Sequence, residues 1–228
     1  MLAERRQADE LMDDPALDAV TYHDVLADLA KVNRITLAHC PTLAFLDKAV
    51  GKRRNFSLLD VGFGDGDMLR AIAAWAQRRG IAAALTGIDL NPRSKAAAEA
   101  KPTPGEPISY LSGDYRALAG GGFDCVISSL VAHHMSEGEL IAFLGFMEAE
   151  AARGWFVNDL HRHGFAYSTW PLLASLMGWH RIVRLDGHTS IARSFRPADW
   201  HALLDEAGIR EARVRRRFPF RLCVERLR

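Results

Sequence analysis

Apolar positions along the chain follow two alternating rhythms. Short apolar runs suited to buried parallel strands are followed by stretches whose apolar residues recur every three or four positions, as on a helix face. Leu58, Leu59 and Val61 form one run, and Met68, Leu69, Ile72 and Trp75 form the helical stripe behind it. Between them stand Gly62, Gly64 and Gly66, which let a backbone turn sharply and approach a ligand. A second strand is predicted over Ile81 to Leu90, closing as TGIDLNP, with Asn91 and Pro92 as N-cap and first-turn residues of the next helix. Ile108 to Leu111 and FDCVISS continue the series. Ser136 and Glu139 have the spacing of a capping box for a helix through about Ala152, and Gly154 to Leu160 reads as a fifth strand.

The flanks follow other patterns. Asp14 and Pro15 are expected to cap a helix running to about His39, with another bracketed by Pro41 and Gly51. Leu17, Val20, Leu26, Leu29, Val32 and Ile35 recur at helical spacing, so one face of the first helix must be covered. His161 to Phe195, rich in aromatic residues, is expected to be a cap inserted after the fifth strand. A helix over Pro197 to Ala207, stopped by Gly208, leads into two strands turning near Pro219. These readings divide the chain into an N-terminal helical addition, 1–51, and a catalytic domain, 52–228, carrying the cap at about 161–195.

Composition narrows the function classes. The formal charge of +1 over 228 residues gives no global attraction to nucleic acid or acidic membrane, and no apolar run approaches the roughly 18 residues that span a bilayer. MLAERRQADE lacks the apolar centre of a secretion signal, and Cys40, Cys125 and Cys223 suit reduced thiols in a cytoplasm. Arg213, Arg215 and Arg217 alternate as on an edge strand, where outward charge discourages aggregation, so no nucleic-acid partner is assigned. No oligomeric state is assigned either.

Asp89, at the end of the second strand, stands where a ribose-binding acid belongs, because a carboxylate accepts hydrogen bonds from both hydroxyls of a diol. From DVGFGDGD onward the ordered segments resemble the class I S-adenosylmethionine-dependent methyltransferases, over roughly Leu58 to Glu225. DVGFGDGD is similar to their glycine-rich turn, IDLNP to the ribose segment, LSGDYRAL to the adenine segment and FDCVISSLVAHHM to the fourth strand and the loop beneath the methionine part. The resemblance implies an α/β, doubly wound, Rossmann-like sheet of about seven strands with a terminal antiparallel hairpin, and S-adenosyl-L-methionine as cofactor. It assigns Asp60, Gly62, Gly64, Gly66, Asp89, Leu90, Gly113, Asp114, Tyr115, Ser128 and Ser129 to that cofactor. LVAHH and the aromatic insertion resemble the small-molecule branch that includes quinone-biosynthesis enzymes. The acceptor is therefore expected to be a small aromatic, phenolic or quinone-like molecule, methylated at oxygen rather than carbon.

Methyl transfer needs an aligned nucleophile, a dry site and sometimes a base. His134, His133 and His161 are the candidate bases because each follows a predicted strand end, with His163 and His188 behind them. Asp159, His161 and His163 form a D-x-H-x-H run, but the serines Ser128 and Ser129 leave any coordination shell short, and no metal is assigned. Two other classes use a similar glycine turn: a nicotinamide-dependent oxidoreductase and a non-catalytic S-adenosylmethionine-binding scaffold. Against the short-chain oxidoreductases, every lysine lies before residue 102 and no Tyr-x-x-x-Lys occurs.

Overall fold

The computed structural model describes residues 2–105 and 107–228. Its strands are β1 (Asn55–Val61), β2 (Ala82–Asp89), β3 (Ser109–Ser112), β4 (Phe123–Ser129), β5 (Ala151–Leu160), β6 (Arg213–Arg217) and β7 (Arg221–Leu227). They form one sheet in the order β3-β2-β1-β4-β5-β7-β6. The first five are parallel, and β7 runs antiparallel between β5 and β6. Strand order reverses between β1 and β4, which opens a crevice at their carboxyl ends.

Helices cover both faces of the sheet, which is why the central strands are apolar throughout rather than alternating. Leu58 packs on one side with Phe45, Leu69, Ile72 and Phe156, and its neighbour Leu59 on the other with Phe143, Leu144, Trp155 and Trp200. The first side is covered by α2 (His39–Val50) and α3 (Asp67–Arg79), the second by α5 (Glu137–Glu150) and α8 (Pro197–Glu206). The expected capping box at Ser136 and Glu139 is present. Asn91 and Pro92 open α4 (Pro92–Glu99), where the Asn91 side chain accepts from Arg93 N.

The N-terminal helix departs from expectation at both ends. Helix α1 (Ala19–Ile35) is capped by Asp18, whose side chain accepts from Thr21 N, whereas Asp14 accepts from Ala16 N in a separate turn. At the far end Leu37 takes a positive φ of 51°, which breaks the helix before His39. Helix α1 packs on the cap rather than on the sheet. The cap is two helices, α6 (Gly164–Leu176) and α7 (Arg181–Arg193), and Val25 and Val32 of α1 cluster with Ala174, Trp179 and Val183. These three helices roof the carboxyl end of the sheet.

The arginines of β6 lie on the sheet's outer edge, and Arg215 Nε donates to Glu225 at 2.8 Å. Among the described residues no helix is long and apolar enough to cross a membrane.

Candidate active site

The glycine turn after β1 has its shape for steric reasons. Gly62, Gly64 and Gly66 take φ of 78°, 58° and 77°. A Cβ on Gly62 would stand 2.3 Å from Val131 Cγ2, and one on Gly66 would stand 2.6 Å from Tyr110 Oη. Gly64 instead opens into a cavity. Gly66→Ala combines a left-handed backbone with the Tyr110 clash, so it is expected to cost about 1–3 kcal/mol of stability, measurable by urea unfolding. Stability equal to wild type would show that the turn relaxes freely.

Asp89 ties this turn to β2. One carboxylate oxygen accepts from Gly64 N at 2.9 Å and the other from Asn91 N at 2.8 Å. Burial pushes its pKa up against those bonds. Asp60 is more exposed to the same effect, since its carboxylate is buried and neither oxygen has a hydrogen-bond partner within the chain. Burial, with Asp67 and Asp89 nearby, raises its pKa well above the carboxylate range. A buried, unpartnered acid beside an open glycine turn suits a cationic ligand group.

These groups line a cavity of about 870 Å³ that is walled mostly by apolar side chains from α1 and α6. Leu90, Gly113, Tyr115 and Ser129 join Asp60, Gly62, Gly64 and Asp89 on its surface. Three residues assigned to the cofactor from sequence do not line it. Gly66 caps α3, the Ser128 hydroxyl donates to Val61 O at 2.9 Å to join β4 to β1, and Asp114 faces Arg116.

The same cavity is also lined by His133, His134 and His161. His133 is buried, with Nδ1 2.7 Å from Asp159 Oδ1 and Nε2 3.5 Å from Glu10 Oε1. Burial alone would lower its pKa, but Asp159 and Glu10 outweigh burial and raise it to about 9. Burial likewise opposes ionisation of Glu10, yet His133, His134 and Ser190 hold it at about 2. His134 faces the same acid, with Nε2 3.7 Å from Glu10 Oε2 and Nδ1 3.1 Å from Asp13 Oδ2. His161 is separate from them. Burial first, then the charges of Arg216, His163, Arg196 and Arg162, push it down to about 4.

The D-x-H-x-H run does not converge: Asp159 is taken by His133, and His163 Nδ1 accepts from Phe165 N to cap α6. His188 stacks on Tyr167, with ring centroids 3.7 Å apart. Glu10 is the site residue that the sequence pattern missed. It is one of four acids between Asp9 and Asp14, with nothing in the sequence to single it out, and only folding brings it to the loop after β4.

Residues 58–149 match a family described as "Methyltransferase domain". No curated protein matches the chain by sequence. Among solved structures, magnesium protoporphyrin IX methyltransferase from Synechocystis PCC 6803 with bound S-adenosylhomocysteine is similar at 18% identity and a TM-score of 0.58, over 95% of this chain and 91% of that one. Human N-acetylserotonin methyltransferase in complex with S-adenosylmethionine is similar at 16% identity and a TM-score of 0.65, over 92% of this chain and 56% of that one. A methyltransferase from Aquifex aeolicus has 17% identity and a TM-score of 0.62, over 92% and 97% of the two chains. Identities this low speak for the fold alone. The matched segment, however, contains the glycine turn, Asp89 and the loop bearing His133 and His134. The fold is that of the methyltransferases it resembles, and the segment matched as a methyltransferase domain is the one that carries the glycine turn and Asp89.

Proposed function

We propose that this enzyme methylates a hydroxyl of a small aromatic, phenolic or quinone-like acceptor. The observation that carries this reading is the cavity itself: one apolar-walled cavity lined both by cofactor-type groups and by a histidine–carboxylate corner. Asp89 and Gly64 suit the ribose, and the unpartnered Asp60 suits the cationic part of the cofactor. Bound there, S-adenosylmethionine supplies an electrophilic methyl group on a sulfonium. The walls of Leu26, Leu29, Trp170 and Leu173 exclude water and seat an apolar ring. His133, flanked by Asp159 and Glu10, acts as a hydrogen-bond donor near neutral pH, whereas His134 is the group that receives the acceptor's proton. Cys40, Cys125 and Cys223 are all free thiols, in keeping with a cytoplasmic enzyme.

Calorimetric titration with S-adenosylmethionine, S-adenosylhomocysteine and NADPH, followed by a methylation screen of phenols and quinols, tests this. Binding of the first two and turnover of a phenol is the expected result. Binding without turnover on any phenol, amine or carboxylate would instead fit a non-catalytic scaffold. His134→Ala is expected to keep S-adenosylhomocysteine affinity and to slow turnover by about 10²–10⁴-fold, the usual contribution of a positioned base. Unchanged turnover would make His134 a structural histidine.

A further inference from the structure

We propose that Glu10, His133 and His134 form a binding site for a divalent transition-metal cation at the acceptor end of the cavity. The three side chains present ligand atoms that all lie within 4.8 Å of one another. The imidazole Nε2 atoms stand 3.5 Å and 3.7 Å from the two Glu10 oxygens. A tetrahedral cation with bonds of about 2.0–2.1 Å holds its ligand atoms roughly 3.3–3.5 Å apart, so each imidazole–Glu10 contact is within a few tenths of an ångström of that spacing, and the three-ligand set closes further onto the ion.

The surroundings are those of a ligand set rather than of a chance cluster. Each histidine has its Nδ1 against a carboxylate, Asp159 for His133 and Asp13 for His134, which aims Nε2 at Glu10. Carboxylates behind ligating imidazoles fix the tautomer and raise the donor strength of the other nitrogen. Asp159 is itself immobilised, accepting from His133 N at 2.9 Å and Leu160 N at 2.7 Å. Glu10 is held from behind as well. Ser190 Oγ donates to it at 2.7 Å, and both Asp186 oxygens accept from the next two backbone N–H groups, Leu11 N and Met12 N, at 2.9 Å. Charge also favours a dication: Glu10, Asp13, Asp159 and Asp186 gather here, with Arg193 3.9 Å from Glu10 and Arg5 on the His133 carbonyl as the opposing cations.

Two imidazoles and one carboxylate suit zinc, iron or cobalt better than magnesium or calcium, which prefer oxygen ligands throughout. All three ligands line the cavity, so the remaining coordination positions face the acceptor. An ionised oxygen on the acceptor would complete the shell. This last step rests on the proposed function, and with the cation in place His134 serves as a ligand rather than as the proton acceptor.

The full chain, stripped with a chelator and dialysed, is titrated with CoCl₂ and followed by visible absorption, with S-adenosylhomocysteine binding measured in parallel by calorimetry. One equivalent of Co²⁺ with a d–d band is expected. Glu10→Gln and His134→Ala should each weaken Co²⁺ binding by more than about tenfold while leaving S-adenosylhomocysteine affinity unchanged. His201→Ala, on the exposed face of α8, should leave both unchanged. Absence of the band in the wild-type protein, or equal Co²⁺ affinity in the two ligand variants, overturns the site. Failure of S-adenosylhomocysteine binding in the wild-type protein would instead strike the methyltransferase reading, so the two failures are distinct.

Discussion

Asp89→Ala is expected to weaken S-adenosylmethionine binding by about 1–3 kcal/mol, or roughly 5- to 150-fold in affinity, read by calorimetry. Asp89 does two things at once. Its carboxylate is the group placed to accept from a ribose diol, and it already holds Gly64 N and Asn91 N. Truncation removes the acceptor and leaves two backbone donors at the cavity without a partner, so the glycine turn loses its tie to β2. Asp89→Asn keeps one acceptor oxygen and gives up the charge, and its loss should be smaller. If Asp89→Ala binds as tightly as the wild-type protein, the acid that ends β2 does not hold the ribose.

Local chemistry decided what could be read before folding. Gly62, Gly64 and Gly66 report a backbone requirement that their own residue type discloses, and Asp89 follows because a strand ending one turn away fixes its place. Ser136 and Glu139 cap their helix through contacts three residues apart. Asp14 misled because Asp18 offers the same chemistry four residues later, and composition does not choose between them. Asp114 could be placed from its segment, but its pairing with Arg116 at the surface is disclosed only by the fold. The histidine–carboxylate corner was the least legible part. His133 and His134 could be noticed as a pair, but their environment comes from Glu10, Asp13, Asp159 and Asp186, which three separate stretches of chain contribute. Such contacts are set by how α1, the cap and the sheet pack together, and no periodicity in the sequence encodes them.

Asp159→Ala should be the most damaging single change in the site, destabilising the protein by about 3–5 kcal/mol. The reason is asymmetry. Asp159 is fully buried, and its carboxylate satisfies the His133 ring, the His133 backbone N–H and the Leu160 backbone N–H together. Arg221, also buried, lies close enough for its charge to be felt by Asp159. Taking the carboxylate away leaves Glu10 as the counter-charge of His133 and only the more distant influence of Asp67 on the buried Arg221, a larger penalty than the net gain from forming the pair. For a chain of this length each kcal/mol lowers the melting temperature by about 2–4 °C, so a fall of roughly 6–20 °C is expected by calorimetry or circular dichroism. Asp159→Asn supplies the control, because its amide oxygen still accepts a backbone N–H while the charge is gone. It should fall between the wild-type protein and Asp159→Ala. If Asp159→Ala melts within a degree or so of wild type, the loop bearing His133 rearranges to find other partners, and the His133–Asp159 pairing is not what holds it in place.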